Sequence, residues 1–222
     1  MLNRRFFLTA TSALSLGWPA AAVHAQGADS VLDHRHAAWD ALLKKHVRWL
    51  PDNKQSQVDY KAFAEDRPAL QQILALWSAV TAAQFAGFNR EQKMAFLINA
   101  YNGFTVELIL TQYPNLKSIK DLGSVFQSPW KKKFFRLLGE KRHLDWIEHE
   151  QLRPGYNDWR VHAAVNCASI GCPALRPEAF IAPRLDAQMD DGMNRFMSDP
   201  TRNRYADGRV ELSEIFKWFG ER

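Results

Sequence analysis

The stretch EQKMAFLINAYNGFTVELILTQYP, residues 91–114, is apolar on nearly every side when wound at helical spacing. A helix with one apolar stripe can lie on a surface, but one that is apolar all round has to be enclosed. Asn89 suits the N-cap and Pro114 lies beyond the far end. The segment is therefore predicted to be a central buried helix around which the remaining elements pack. Three polar side chains interrupt its apolar surface: Asn99, Asn102 and Glu107. Asn99 and Asn102 share a face at i and i+3. Buried amides need partners, so they either hold the backbone of a neighbouring loop or face a ligand as substrate-binding or oxyanion groups.

The flanking segments are shorter. Residues 32–50 carry Trp39, Leu42, Leu43, Val47 and Leu50 at helical spacing and stop at Pro51. A polar loop leads to a short Val58-Asp59-Tyr60 segment, and Pro68 suits the first turn of a helix running to about Val80. KKFFRLLGEKRHL reads as a hairpin around Gly139-Glu140. Asp145 is predicted to cap WIEHEQLR, with Glu148 completing a capping box. RVHAAVNC, residues 160–167, is assigned as a buried strand, a helix being the alternative. A last amphipathic helix covers about 184–197, a turn follows at Asp207-Gly208, and Ser213 caps SEIFKWFGER. The fold class expected is α+β: one helix-dominated domain with a central buried helix and a few short antiparallel strands.

The N-terminus points to export. MLNRRFFLTATSALSLGWPAAAVHAQ pairs Arg4 and Arg5 with an apolar stretch broken by Gly17 and Pro19, and Val23-His24-Ala25 makes a small-residue cleavage site. Residues 1–25 are read as a signal peptide of twin-arginine type. Residues 26–222 are then one globular domain, periplasmic or secreted after cleavage near Ala25, with no transmembrane segment in the mature chain. The formal net charge of +5 is mild, and export removes nucleic acid from the expected partners. An envelope peptide or polymer is the partner expected instead. The densest positive run, Trp130 to Arg136, is read as a lysine-protected edge strand, contact with an anionic envelope surface being the alternative.

Cys167 and Cys172 are the only cysteines. Their candidate partners are His149 and His162. His149 shares a helical face with Arg153 at i and i+4 and has Glu148 beside it. His162 and Cys167 are five apart, so on one strand they point to opposite faces, and on one helix they diverge by roughly 140°. Cys172 is therefore the better partner for His162. Cys172 also precedes Pro173, and the two are read as opening a short helix whose N-terminus favours a thiolate. Cys167 is expected to be the more buried and inert of the pair.

FLINAYNGFTVELIL (96–110), HLDWIEHEQLR (143–153) and RVHAAVNCASIGCPAL (160–175) together resemble the family called domain of unknown function 547, over about residues 58–219. Asn99, Tyr101, Asn102, Trp130, Glu148, His149, Arg153, His162, Cys167, Cys172 and Pro173 match its motif letters. The resemblance implies exported bacterial relatives, and plant relatives in which the domain follows a coiled coil. It implies no settled activity. Intracellular plant relatives with the same cysteine pair weaken a purely oxidative staple. Members also usually continue past a segment like IFKWF, so the chain is expected to be short at its C-terminus.

Three readings follow, and none demands an organic cofactor. The first is a thiol-dependent hydrolase or acyl or amide transferase on a peptide-like envelope substrate. Its nucleophile is Cys172 or Cys167, its base His149 or His162, and Asn99, Asn102, Glu148 and Arg153 bind substrate or oxyanion. The second is a non-catalytic binding or structural module with a Cys167–Cys172 disulfide. The third is a zinc site from Cys167, Cys172, His162 and His149, although that spacing matches none of the usual signatures.

Overall fold

The computed structural model describes residues 32–124, 127–169 and 171–219. The expected signal peptide lies outside the described residues. At the centre runs α5 (Arg90–Leu110), capped by Asn89, whose side chain accepts from the Gln92 amide while Gln92 returns the bond. Residues on every side of α5 are buried, as its sequence requires. Gly103 is where a neighbour comes closest: a Cβ there would stand 2.7 Å from Trp77 Cζ3. Trp77 belongs to α3 (Arg67–Ala79), which turns Leu70, Ile73, Leu74 and Trp77 inward at helical spacing. Glu107, the third polar residue of α5, pairs with Arg67 at 2.8 Å.

The N-terminal helix is shorter than its pattern. α1 (Ala37–His46) ends at His46, and Val47–Trp49 leave it as β1, antiparallel to β2 (Ser56–Val58). Val47 and Trp49 are β-branched and aromatic, and a pairing strand nearby outweighs the helical spacing. Asp59 then caps α2 (Tyr60–Glu65) through the Ala62 amide, and α4 (Ala82–Ala86) closes this half with its own Thr81–Gln84 capping box.

Beyond α5, β3 (Phe135–Leu137) and β4 (Glu140–Arg142) form the expected hairpin, with its turn one residue earlier than read. Leu138 and Gly139 take φ of 52° and 85°, both left-handed, the requirement of a tight two-residue hairpin. Phe135 stacks on Phe104 of α5 with ring centroids 3.9 Å apart.

Three expectations fail between residues 143 and 175. Asp145 does not cap its helix. The Trp146 amide donates to His143 Nδ1 at 2.9 Å instead, and Glu148 turns into the protein rather than back to a capping box. The segment Trp146–Leu152 winds as a π-helix, with the Arg153 amide donating to the Glu148 carbonyl. It continues into α6 (Arg153–Tyr156). In a regular α-helix the Pro154 ring would strike the Glu150 carbonyl; the wider winding ahead of it avoids that clash.

Residues 160–167 are not a strand. α7 (Val161–Ala164) is a single helical turn, followed by extended Val165. Among the described residues no strand pairs with it, and the backbone that leaves the turn is taken up by a side chain of α5. Cys172–Leu175 form no helix either; the Cys172 amide donates to the Ser169 carbonyl, and the chain from Pro173 has no regular structure. α8 (Leu185–Met197) packs on α7 so closely that a Cβ on Gly192 would lie 3.2 Å from the Ala163 carbonyl oxygen. The hairpin of β5 (Arg204–Ala206) and β6 (Arg209–Glu211), turning at Asp207-Gly208, precedes α9 (Glu214–Phe219). The Ser213 hydroxyl accepts from the Ile215 amide at the start of α9. The fold is α+β, helix-dominated with short antiparallel hairpins. No helix among the described residues is long and apolar enough to cross a membrane.

Candidate functional site

The two asparagines of α5 act as clamps. Asn99 donates to the Phe180 carbonyl at 2.7 Å and accepts from the Phe180 amide at 3.0 Å. Asn102 donates to the Ala164 carbonyl at 3.0 Å and accepts from the Asn166 amide at 2.8 Å. Each amide thus treats one stretch of backbone as a strand would, deep in the protein. Both are engaged in holding loops, and neither lines the groove described below as an oxyanion donor.

Asn166 extends the clamp. Its side chain accepts from the Ala168 amide at 3.0 Å and donates to the Pro173 carbonyl at 2.7 Å. Between those contacts lies the disulfide Cys167–Cys172, with Cα atoms 6.0 Å apart. Cys172 is 9% exposed while Cys167 is only partly buried, which reverses the expected order. With the sulfurs joined, neither is a thiolate, so neither serves as nucleophile or zinc ligand in this state. Among the described residues no three or more His, Cys, Asp or Glu side chains are grouped to hold a metal.

Both cysteines line a groove of about 740 Å³ that also takes in Tyr101, Trp130, Asp145, Glu148, His149 and His162. Leu212 and Ile215 give it an apolar wall at the C-terminal side. The structure therefore brings together five sequence-predicted side chains, Cys167, Cys172, His149, His162 and Glu148. Arg153 stands behind them. It donates to His149 Nδ1 at 3.1 Å, and a guanidinium can only donate, so that bond leaves the His149 proton on Nε2. His149 Nε2 in turn stands 4.0 Å from Asp145 Oδ1.

Glu148 lies 8% exposed beside the groove. Its Oε1 is 3.4 Å from His162 Nδ1, long for a hydrogen bond, and the buried Tyr101 hydroxyl bonds to the same carboxylate. Burial alone would raise the Glu148 pKa. The bond with His162, the nearby charges of His149 and His162, and the Tyr101 hydroxyl together bring it below the usual glutamate value. Tyr101 moves the other way, far above an ordinary phenol, because burial and then the Glu148 and Asp145 charges oppose its ionisation. Asp145 is also raised, first by burial and then by Glu148, with His149 opposing. Two carboxyls of one groove are thus pushed apart, one toward the acid form and one toward the ion.

Tyr101 and Asp145 are two ionisable groove residues that sequence reasoning left out of the site. The signal for Tyr101 was available: a phenol on a wholly buried helix has to find a polar partner. Asp145 was masked by its resemblance to a helix cap.

No curated protein and no solved structure matches this chain. A family model described as "Protein of unknown function, DUF547" matches residues 85–197, a span that contains all three sequence blocks quoted above. With the model covering half of its length, the chain belongs to the DUF547 family.

Proposed function

We propose that the groove is a reaction site for acid–base hydrolysis or transfer at an acyl or amide bond. The substrate is a peptide-like polymer of the cell envelope, which an exported protein would meet. The observation that carries this reading is the buried Glu148 carboxylate shared by Tyr101 and His162 beside the groove. His162, whose Nδ1 lies 3.4 Å from Glu148 Oε1, takes a proton from an attacking water or substrate amine, and ionised Glu148 stabilises the imidazolium that forms. Asp145, raised toward its acid form, protonates the leaving group. His149, its tautomer set by Arg153, donates from Nε2 to the developing oxyanion. Thiol-dependent chemistry belongs only to the reduced protein.

His162→Gln keeps a polar side chain but loses the exchangeable base. Incubation with a muropeptide digest, followed by mass spectrometry, is expected to give cleavage or transfer products with the native protein. The variant is expected to give them about a hundredfold more slowly. Identical digests from both proteins would sink the reading. They would leave the alternative favoured by the disulfide and the apolar wall, a groove that binds without reacting.

A further inference from the structure

We propose that the Cys167–Cys172 pair is a thiol–disulfide exchange centre, which takes two electrons from a dithiol bound in the groove. This activity goes beyond the hydrolytic reading and does not require it.

The first support is that the fold does not need the bond. Asn166 spans from before Cys167 to Pro173 through its side chain, and its backbone is gripped by Asn102 of α5. The loop ends are therefore held together by hydrogen bonds that bracket both sulfurs. A bridge between residues five apart adds little constraint to a loop already closed in this way.

The second support is placement. A structural disulfide is usually buried away from ligands, whereas both of these cysteines line the groove together with two imidazoles and an ionised carboxylate. Cys167 is the more exposed residue of the pair and Cys172 the more buried, which assigns attack to Cys167 and departure to Cys172.

In the exchange, a thiolate of the dithiol attacks Cys167 Sγ, a mixed disulfide forms, and the Cys167–Cys172 bond breaks with its electron pair leaving on Cys172 Sγ. The departing thiolate takes a proton through His162, which lines the groove beside Glu148. The second thiolate of the dithiol then attacks its own sulfur in the mixed disulfide and releases Cys167, which takes the second proton. The dithiol ends as a disulfide, oxidised by two electrons, and the cysteine pair ends as two thiols.

The test uses the oxidised full chain and dithiothreitol as the probe. Thiols are counted by N-ethylmaleimide mass labelling while far-ultraviolet circular dichroism follows the fold. Both thiols are expected to form with the dichroism spectrum unchanged, about tenfold more slowly in folded His162→Gln at the same pH. The Cys172→Ser variant keeps Cys167 alone and is expected to attack the disulfide of 5,5′-dithiobis(2-nitrobenzoate), forming a stable mixed disulfide as one thionitrobenzoate leaves. Thiols that form only as the dichroism signal collapses would overturn the proposal. So would equal rates in native protein and His162→Gln. Thiol counting reads nothing of hydrolysis, so loss of muropeptide turnover with exchange intact, or the reverse, separates the two activities.

Discussion

Exchanging Asn102 for leucine is expected to destabilise the protein by about 3 kcal/mol, because it strips the partners from one buried and one partly buried backbone group at once. The buried Ala164 carbonyl loses its donor and the partly buried Asn166 amide its acceptor, and the Ala164 carbonyl lies too deep for water to replace the amide fully. The double change Cys167→Ser/Cys172→Ser is expected to cost less. Closing so short a loop is worth about 2 kcal/mol by chain entropy alone, and Asn166 already restrains the same ends. Urea unfolding of the three proteins, followed by circular dichroism, gives the ranking. A cysteine variant less stable than Asn102→Leu would mean that the sulfur bridge, and not the α5 clamp, shapes the loop.

Acid is expected to weaken the fold well above the range in which carboxylates titrate. His36 is 4% exposed ahead of α1, its ring edge-on to Trp77, and neither ring nitrogen has a hydrogen-bond partner among the described residues. Burial, then the neighbouring His34, lower its pKa from 6.5 to about 4, with Asp33 opposing. The sign follows from proton binding. Between about pH 4 and 6.5 the unfolded chain holds a proton that the folded chain excludes, so stability rises with pH through this window. Its contribution is complete above pH 6.5 and falls by about 2 kcal/mol at pH 5 and about 3 kcal/mol at pH 4. His36→Asn, which tolerates the left-handed φ of 49° at this position, is expected to flatten that slope while lowering stability at neutral pH. Urea midpoints at pH 7 and pH 5 for both proteins decide it. An equal pH dependence in the variant would assign the effect elsewhere.

The parts of this fold legible in the sequence are those governed by local pattern. The all-round apolar character of α5, its Asn89 cap and the tight turn at Asp207-Gly208 are local properties, and the structure has them. The stretch from 143 to 175 was not legible because its conformation is decided by groups far away in sequence. Val165 is extended without a strand partner because Asn102, more than sixty residues earlier, holds the backbone on either side of it. Glu148 has the spacing of a capping-box residue, yet burial against Tyr101 and His162 decides where it points. Cys172 failed as a helix cap for a similar reason: Cys-Pro suits a helix start only if the following residues wind, and here Asn166 takes the Pro173 carbonyl instead. The set of groove residues was largely readable from polar side chains in apolar surroundings, whereas their pairing was not.

If Glu148 and His162 work as one acid–base unit in the groove, removing either side chain disables the pair. A double-mutant cycle on muropeptide turnover, with Glu148→Gln, His162→Gln and both together, tests it most directly. Each single change is expected to lower kcat/KM by about a hundredfold or more, and the double change to cost little beyond the worse of the two. Effects that simply add, or single variants that turn over like the native protein, would contradict it.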